Sequence, residues 1–331
     1  MIDTGQLPTR AQLEWMYEFM CTATEADRRA AAEVRAARLQ AAFYPIRGLE
    51  AACAGLGLAM EAQDHMVSTY RNLGDALAKG MALRTIVAEA YGRVGGCSNG
   101  KGGTMHLADA SVGMMATTGI VGSGLPIAAG LGVAAQLDGT SRAVVVTFGD
   151  GATSIGAAHE ALNLAALWKL PVLFVCQNNQ WAEHTPISTH VANPNLAEKA
   201  ASYGMTAESV DGFDPIAVWL ASRRALESIR SGGGPVFLEF RTYRLTGHTG
   251  TADYSYVPKQ ELEEALRRDP APALRRWLVE NDLVDASRLD EIEKRAQSAV
   301  DDAFEFAVGS AAPAQATLLT DVFANGNEVM A

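Results

Sequence analysis

Short, continuous apolar runs alternate with helical patterns through the middle of the chain. Four runs are strand candidates, namely HMVSTYR (65–71), AVVVTF (143–148), PVLFVC (171–176) and PVFLEFRTY (235–243). Apolar residues recur at helical spacing over 126–137, 154–168, 195–204 and 217–231. Strands that are apolar throughout and alternate with helices are typical of a parallel sheet covered on both faces. The pattern therefore predicts an α/β fold of this type.

Helical patterns also flank this region on both sides. On the N-terminal side they cover 11–42, 50–61 and 75–94, and FYPIRG (43–48) separates the first two. From Pro258 onward the chain is charged and helical in pattern, and it ends in an Ala-rich tail. We predict three parts, which are a helical arm over 1–42, an α/β domain over 43–257, and a helical extension with a tail over 258–331.

The composition of the chain argues against several classes of partner. Its net charge is −11 and it has no cluster of Lys and Arg, so a nucleic-acid partner is not expected. No apolar run reaches membrane-spanning length, and MIDTGQLPTR at the N-terminus lacks the apolar core of a signal sequence. The four cysteines form no C-x-x-C pair, which indicates neither a zinc site nor a disulfide framework. We predict a cytoplasmic protein without membrane contact.

An acid and an amide occupy corresponding positions at the ends of two consecutive predicted strands. Asp150 follows AVVVTF, and Asn179 follows PVLFVC, with one helix between them. Such strand ends meet at the ligand-binding edge of a parallel sheet, so we expect the two side chains side by side. Their oxygens suit Mg²⁺, which usually shares its ligands with phosphate groups. Gly149 and Gly151 allow the backbone to come close to a ligand, and the N-terminus of a helix that starts near Ser154 favours an anion. The stretch predicts a magnesium–diphosphate clamp; the plainer alternative is an Asp-Gly turn and a polar loop.

The segment GDGATSIGAAHEALNLAALWKLPVLFVCQNNQWA (149–182) resembles the thiamine diphosphate fingerprint, in which G-D-G precedes N-N. More specifically, it resembles the alpha subunit of the dehydrogenase component of 2-oxo acid dehydrogenase complexes, in particular the pyruvate and acetoin members. The resemblance covers about 13–278 and implies a thiamine-diphosphate-binding fold. The residues it assigns here are Asp150, Asn179 and the backbone carbonyl of Trp181 for Mg²⁺, and Gly151 and Ala152 for the diphosphate.

Three further motifs are similar to segments of the same family. TGIVG implies that the backbones of Gly119 and Val121 hold the aminopyrimidine ring, and STYR implies that Tyr70 and Arg71 contact the diphosphate. TYRLTGHTGTADYSY resembles the family's active-site loop and implies that His248 is catalytic and lies near the diphosphate and the reacting centre. Without this resemblance, a lone histidine in a Gly- and Thr-rich loop is expected to face solvent.

The segment NGKGGTMH is similar to the family but also nearly matches a nucleotide P-loop. The residue after Lys101 is Gly102 rather than Ser or Thr, and the segment follows a helix rather than a strand. We therefore exclude a nucleoside triphosphate site. Two other positions depart from the family pattern, since Leu73 replaces a histidine expected to face the cofactor and His184 replaces a small residue. Both departures are predicted to lie near the substrate entrance.

The resemblance implies an oxidoreductase subunit that acts with a second chain. Thiamine diphosphate needs two half-sites, and a chain of 331 residues has room for only the diphosphate half. The family supplies the other half, including an essential glutamate, on a beta subunit in an assembly of two alpha and two beta chains. The implied reaction is decarboxylation or cleavage of a small 2-oxo acid or acetoin, with reductive acylation of lipoamide on a lipoyl-bearing acyltransferase.

Two alternatives stay open from the sequence. A carboligase would use the same cofactor but pass the acyl group to an aldehyde or ketone rather than to lipoamide. A scaffold would bind a partner chain only, although the intact Asp150, Asn179 and neighbouring glycines argue against it.

Overall fold

A six-stranded, fully parallel sheet forms the centre of the computed structural model, which describes residues 7–321. The strands of the sheet lie in the order β2-β1-β3-β4-β8-β7. Their bounds are β1 His65–Thr69, β2 Met114–Thr118, β3 Val144–Gly149, β4 Val172–Asn178, β7 Thr206–Asp211 and β8 Val236–Arg241. Strands β5 (Trp181–Ala182) and β6 (Thr185–Pro186) form a separate antiparallel hairpin.

Helices cover both faces of the sheet, which confirms the predicted α/β fold. They are α1 Arg10–Arg35, α2 Glu50–Ala59, α3 Leu73–Ala78, α4 Leu83–Ala90, α5 Gly124–Leu137, α6 Gly156–Trp168, α7 Ile187–His190, α8 Leu196–Ala201, α9 Pro215–Arg230, α10 Lys259–Arg267, α11 Pro270–Glu280 and α12 Ala286–Gly309. No helix within residues 7–321 is long and apolar enough to cross a membrane.

Each central strand is apolar throughout because each of its faces belongs to a different core. In β3, Val144 and Val146 belong to the core that includes α5 and α6, whereas Val145 belongs to the core that includes α1, α2 and α9. Successive side chains of a strand point to opposite faces, so a strand buried on both faces must be apolar at every position. This physical requirement produced the apolar runs in the sequence.

The order of the strands creates a topological switch point. From β1 the chain continues to β2 on one side of β1, and then crosses to β3 on its other side. The connections leaving the carboxyl ends of β1 and β3 therefore run in opposite directions and leave a crevice between them. Strand β4 pairs with β3 and aligns Gln177 with Gly149, which confirms that the strands preceding Asp150 and Asn179 are neighbours.

Several predicted boundaries are wrong, each for a local reason. The helix predicted over 75–94 is two helices, α3 and α4, separated by a turn in which Gly80 has a φ of 94°. The helix after Asp150 begins at Gly156 rather than near Ser154, because a 3-10 turn precedes it. Strands β2 and β7 were not predicted, since both are edge strands with few buried side chains.

The first and last long helices pack against each other. Arg288 and Arg295 of α12 form ion pairs with Glu14 and Glu18 of α1 at 2.9 and 2.8 Å. Both helices bury apolar side chains in the same core on one face of the sheet. The boundaries proposed at 42/43 and 257/258 stay predictions, and the end of the predicted tail lies outside the described residues.

Candidate functional site

A cavity of about 280 Å³ opens at the carboxyl ends of β1, β3 and β4, at the switch point of the sheet. The predicted site residues that line it are Tyr70, Arg71, Val121, Asp150, Gly151, Ala152, Asn179, Trp181 and His248. Gly119 is the exception, because a Cβ built on it would lie nearest to Met105 and His106 rather than on the cavity wall. The structure thus brings most of the predicted set together in one cavity.

Asp150 is buried in the wall of this cavity at the end of β3. Its side chain is 1% exposed, and its Oδ2 accepts a hydrogen bond from Nε2 of His190 at 3.1 Å. A Cβ built on the preceding Gly149 would meet nothing within 4 Å, so the space beside the strand end is open. A buried carboxylate needs a compensating partner, and a cation in the open space would supply one. Sequence reasoning missed His190, which belongs to no motif.

Asn179 and Trp181 lie on the neighbouring strand end. The backbone N–H of Trp181 donates to Oδ1 of Asn179 at 3.1 Å, and the backbone N–H of Arg244 donates to the Asn179 carbonyl at 3.2 Å. These bonds fix the amide beside the cavity. Within residues 7–321 no group of three or more His, Cys, Asp and Glu could hold a metal ion. A cation here would therefore also need amide and carbonyl oxygens.

Arg71 brings a buried positive charge to the same cavity. Its guanidinium donates to the carbonyl oxygens of Pro45 and His248, the latter at 3.3 Å. Among the described residues no carboxylate forms an ion pair with it, and burial lowers the pKa of its side chain although the charge of Asp27 acts in the opposite direction. A guanidinium held by backbone oxygens and left without a counter-charge favours an anionic ligand.

His248 is held as a neutral imidazole. Nη2 of Arg71 lies 3.4 Å from its Nδ1, and a guanidinium can only donate, so Nδ1 acts as the acceptor. Burial, together with the charges of Arg71, Arg244 and His184, lowers the pKa of His248 to about 4. At neutral pH this side chain can accept a proton, and its Nε2 carries the proton that it can donate.

The low pKa of His248 predicts a pH-dependent stability. Below pH 6.5 an unfolded histidine takes up a proton, whereas folded His248 stays neutral until about pH 4. Wild type is therefore expected to lose stability relative to His248→Gln as the pH falls from about 6.5 to 4, and to show no such relative change above 7. Urea unfolding of both proteins across this range tests it. A His248 ring titration midpoint near 6.5 by NMR would contradict it.

A buried polar network forms the floor of the cavity. The carboxylate of Asp75 accepts hydrogen bonds from Ser68 Oγ and Thr147 Oγ1, both at 2.6 Å, and from Gln177 Nε2 at 2.9 Å. Its three partners belong to β1, β3 and β4, and all line the cavity. Burial raises the pKa of Asp75. The network ties three strand ends together, and sequence reasoning missed it because its members are far apart in the chain.

The glycine-rich loop beside α4 is already filled by an internal anion. The carboxylate of Glu89 accepts from the backbone N–H groups of Ser98 at 2.8 Å, Gly100 at 3.0 Å, Gly102 at 2.7 Å and Gly103 at 3.1 Å. In a P-loop such N–H groups would cradle a phosphate. Their use by Glu89 agrees with the exclusion of a nucleoside triphosphate site.

The two departures from the family pattern lie in different places. Leu73 is buried and lines an apolar cavity of about 40 Å³ with Phe43 and Leu107, so its predicted place near the substrate entrance is wrong. Its position at the start of α3 turns it toward the helical core. His184 packs on Tyr256 with ring centroids 4.5 Å apart, and its ring centroid lies 6.4 Å from that of His248.

Comparisons with known proteins show the family to which the chain belongs. The family described as "Dehydrogenase E1 component" matches residues 18–315. The chain is 39% identical to the alpha subunit of acetoin:2,6-dichlorophenolindophenol oxidoreductase of Bacillus subtilis, over 83% of each chain. It is 36% identical to the pyruvate dehydrogenase E1 component subunit alpha of Rhizobium meliloti, over 83% of this chain and 79% of that one. The human somatic-form mitochondrial pyruvate dehydrogenase E1 alpha subunit is 35% identical over 80% of this chain and 68% of that one. This chain therefore belongs to the dehydrogenase E1 component family.

Proposed function

We propose that this chain is the alpha subunit of a thiamine-diphosphate-dependent dehydrogenase that acts on a small 2-oxo acid or on acetoin. The observation that carries the proposal is the buried carboxylate of Asp150 beside Asn179 and Trp181, in a switch-point cavity that Arg71 also lines. The proposal is supported by the names of two relatives, one an acetoin oxidoreductase alpha subunit and the other a pyruvate dehydrogenase alpha subunit.

The residues present fit a magnesium-bound diphosphate. Asp150, Asn179 and the carbonyl of Trp181 would hold Mg²⁺ through oxygen atoms, as this cation prefers. A Cβ on Gly151 would come within 2.9 Å of the Ala182 Cβ, so only glycine lets this turn lie under the β5–β6 hairpin. Side chains at this point are therefore small, which leaves the backbone accessible to phosphate oxygens.

Arg71 and Tyr70 would complete the anion site on the opposite wall. Arg71 would neutralise a phosphate, while the half-buried Tyr70 packs next to Tyr44 with ring centroids 4.4 Å apart. When bound, thiamine diphosphate supplies an electron sink for breaking a bond beside a carbonyl group. The neutral His248 would hold or move a proton at Nε2 during acyl transfer, and the buried ring of Trp181 would exclude water.

A beta subunit, in an assembly of two alpha and two beta chains, would complete the site. Ile120 and Val121 line the open side of the cavity and are 72% and 51% exposed. Apolar side chains exposed beside a ligand cavity are typical of a surface covered by a partner.

A lipoyl-bearing acyltransferase is the proposed acyl acceptor. The proposed location is the cytoplasm, where free cysteines such as these four persist.

Calorimetric titration of thiamine diphosphate tests this proposal. We expect tight binding only when Mg²⁺ is present and the chain is in complex with its co-purified partner. A chelator should abolish binding if the oxygen clamp holds the cation. Equally tight binding by the isolated chain would contradict the half-site argument, and binding without Mg²⁺ would contradict the assignment of Asp150.

The dehydrogenase and the carboligase alternative differ in the product that they form. Detection of acylated lipoamide as a product would favour the dehydrogenase, and a new carbon–carbon bond in its place would favour the carboligase.

A further inference from the structure

A two-residue turn at the mouth of the cavity carries an acidic side chain. The β5–β6 hairpin follows directly after Asn179, and its turn is formed by Glu183 and His184. Glu183 lines the cavity and is exposed, and its backbone has a φ of 54°. This left-handed conformation costs a non-glycine residue energy, so the surrounding structure must hold it in place.

Buried neighbours hold this turn in position. Arg244 is 2% exposed, and its Nη2 donates to the carbonyl oxygen of Glu183 at 2.8 Å and also to the hydroxyl of Tyr256. On the other side of the hairpin, Ala182 packs against Gly151. The carboxylate of Glu183 therefore lies on a fixed backbone at the exposed rim of the cavity.

Two arginines bring positive charge to the cavity, Arg71 in its lining and the buried Arg244 beside it. Among the described side chains that line it, Arg71 is the one positive charge at neutral pH, because the pKa of His248 is about 4. The donors of Arg71 face backbone oxygens and the proposed diphosphate position. Glu183 and Tyr70 line the same cavity; burial raises the pKa of Tyr70, Arg71 and Arg244 oppose this shift, and Glu183 adds to it.

We propose that Glu183 is a specificity-determining residue that favours an uncharged acyloin, such as acetoin, over an anionic 2-oxo acid, such as pyruvate. The inference rests on the proposed function. The carboxylate of Glu183 repels the carboxylate of a 2-oxo acid bound in the same cavity, and water at this exposed position screens part of the repulsion. The same carboxylate can accept a hydrogen bond from the hydroxyl group of an acyloin, which a 2-oxo acid lacks.

Steady-state kinetics of the co-purified complex test this inference. The value of kcat/KM is measured for acetoin and for pyruvate, with 2,6-dichlorophenolindophenol as the electron acceptor. Wild type is expected to prefer acetoin. Glu183→Gln is expected to shift the preference toward pyruvate by about tenfold, as the removal of a nearby like charge predicts. Glu183→Asp keeps the charge and should keep the preference for acetoin.

A matched control separates the local charge from the net charge. Glu305→Gln changes the net charge equally, on an exposed position of α12, and should leave the preference unchanged.

A binding readout uses a thiamine diphosphate analogue with an uncharged ring in place of the thiazolium. Glu183→Gln should then bind pyruvate about tenfold more tightly than wild type does, by calorimetry.

The outcomes distinguish this inference from the proposed function. If every protein binds thiamine diphosphate with Mg²⁺ but wild type prefers pyruvate, or Glu183→Gln leaves the preference unchanged, the inference is wrong and the proposed function stands. If the complex does not bind the cofactor, both are wrong.

Discussion

Asp150→Ala is expected to weaken magnesium-dependent binding of thiamine diphosphate by about 100-fold or more, because losing even an outer partner of a metal ligand costs roughly 10- to 100-fold in affinity. The substitution removes the one carboxylate among the proposed ligands and leaves His190 without its acceptor. Calorimetric titration with and without Mg²⁺ measures the change. Circular dichroism should be unchanged, because the side chain lost is small and its cavity is open to water.

Asp138→Ala is the matched control for this prediction. Asp138 forms an exposed ion pair with Arg142 at 2.9 Å, and such pairs contribute little to stability. Its removal should leave cofactor binding unchanged. If Asp150→Ala and Asp138→Ala bind the cofactor equally well, the clamp is not functional, and the scaffold alternative becomes the better explanation of the chain.

Glu89→Ala is expected to lower the free energy of unfolding by about 3 kcal/mol. The reason is that its carboxylate alone accepts four backbone N–H groups of the loop, and an unsatisfied buried donor costs about 1–3 kcal/mol. Water would restore part of the loss, since the loop is only half-buried. Urea unfolding measures the change, and limited proteolysis should show new cleavage within 95–103.

Glu89→Gln should give an intermediate loss, because an amide keeps one oxygen acceptor but turns its NH₂ group toward other donors. Glu280→Ala, at an exposed position of α11, should change the stability little. A loss below about 1 kcal/mol for Glu89→Ala would mean that solvent satisfies the loop without the carboxylate.

The β3–α6–β4 unit could be predicted almost completely from the sequence. Its strands are buried on both faces, so their apolar runs are continuous, and the helix between them is amphipathic. The edge strands β2 and β7 could not be predicted in this way. In β7 only Val210 is buried, and the remaining side chains carry no apolar pattern to detect. Without β2 the switch point could not be located from the sequence either.

The residues of the candidate site also fall into two groups, those that the sequence could identify and those that it could not. Asp150, Asn179 and His248 belong to local motifs and could be selected from the sequence alone. His190 and Asp75 could not, because their partners are distant in the chain and only packing brings them together. Leu73 was misplaced for a related reason, since a motif gives the position of a residue but not the direction of its side chain.

The sequence by itself determined that this chain has a parallel α/β fold with an acid and an amide at adjacent strand ends. Apolar periodicity and local motifs are properties of neighbouring residues, and they need no tertiary information. Only the tertiary structure decided which charges the cavity holds. Burial beside Arg71 makes His248 neutral, and a left-handed turn held by Arg244 places the charge of Glu183 at the entrance. Charge states and orientations of this kind depend on residues far apart in the chain. The reason is that burial and charge–charge interactions depend on which groups are close in the folded structure.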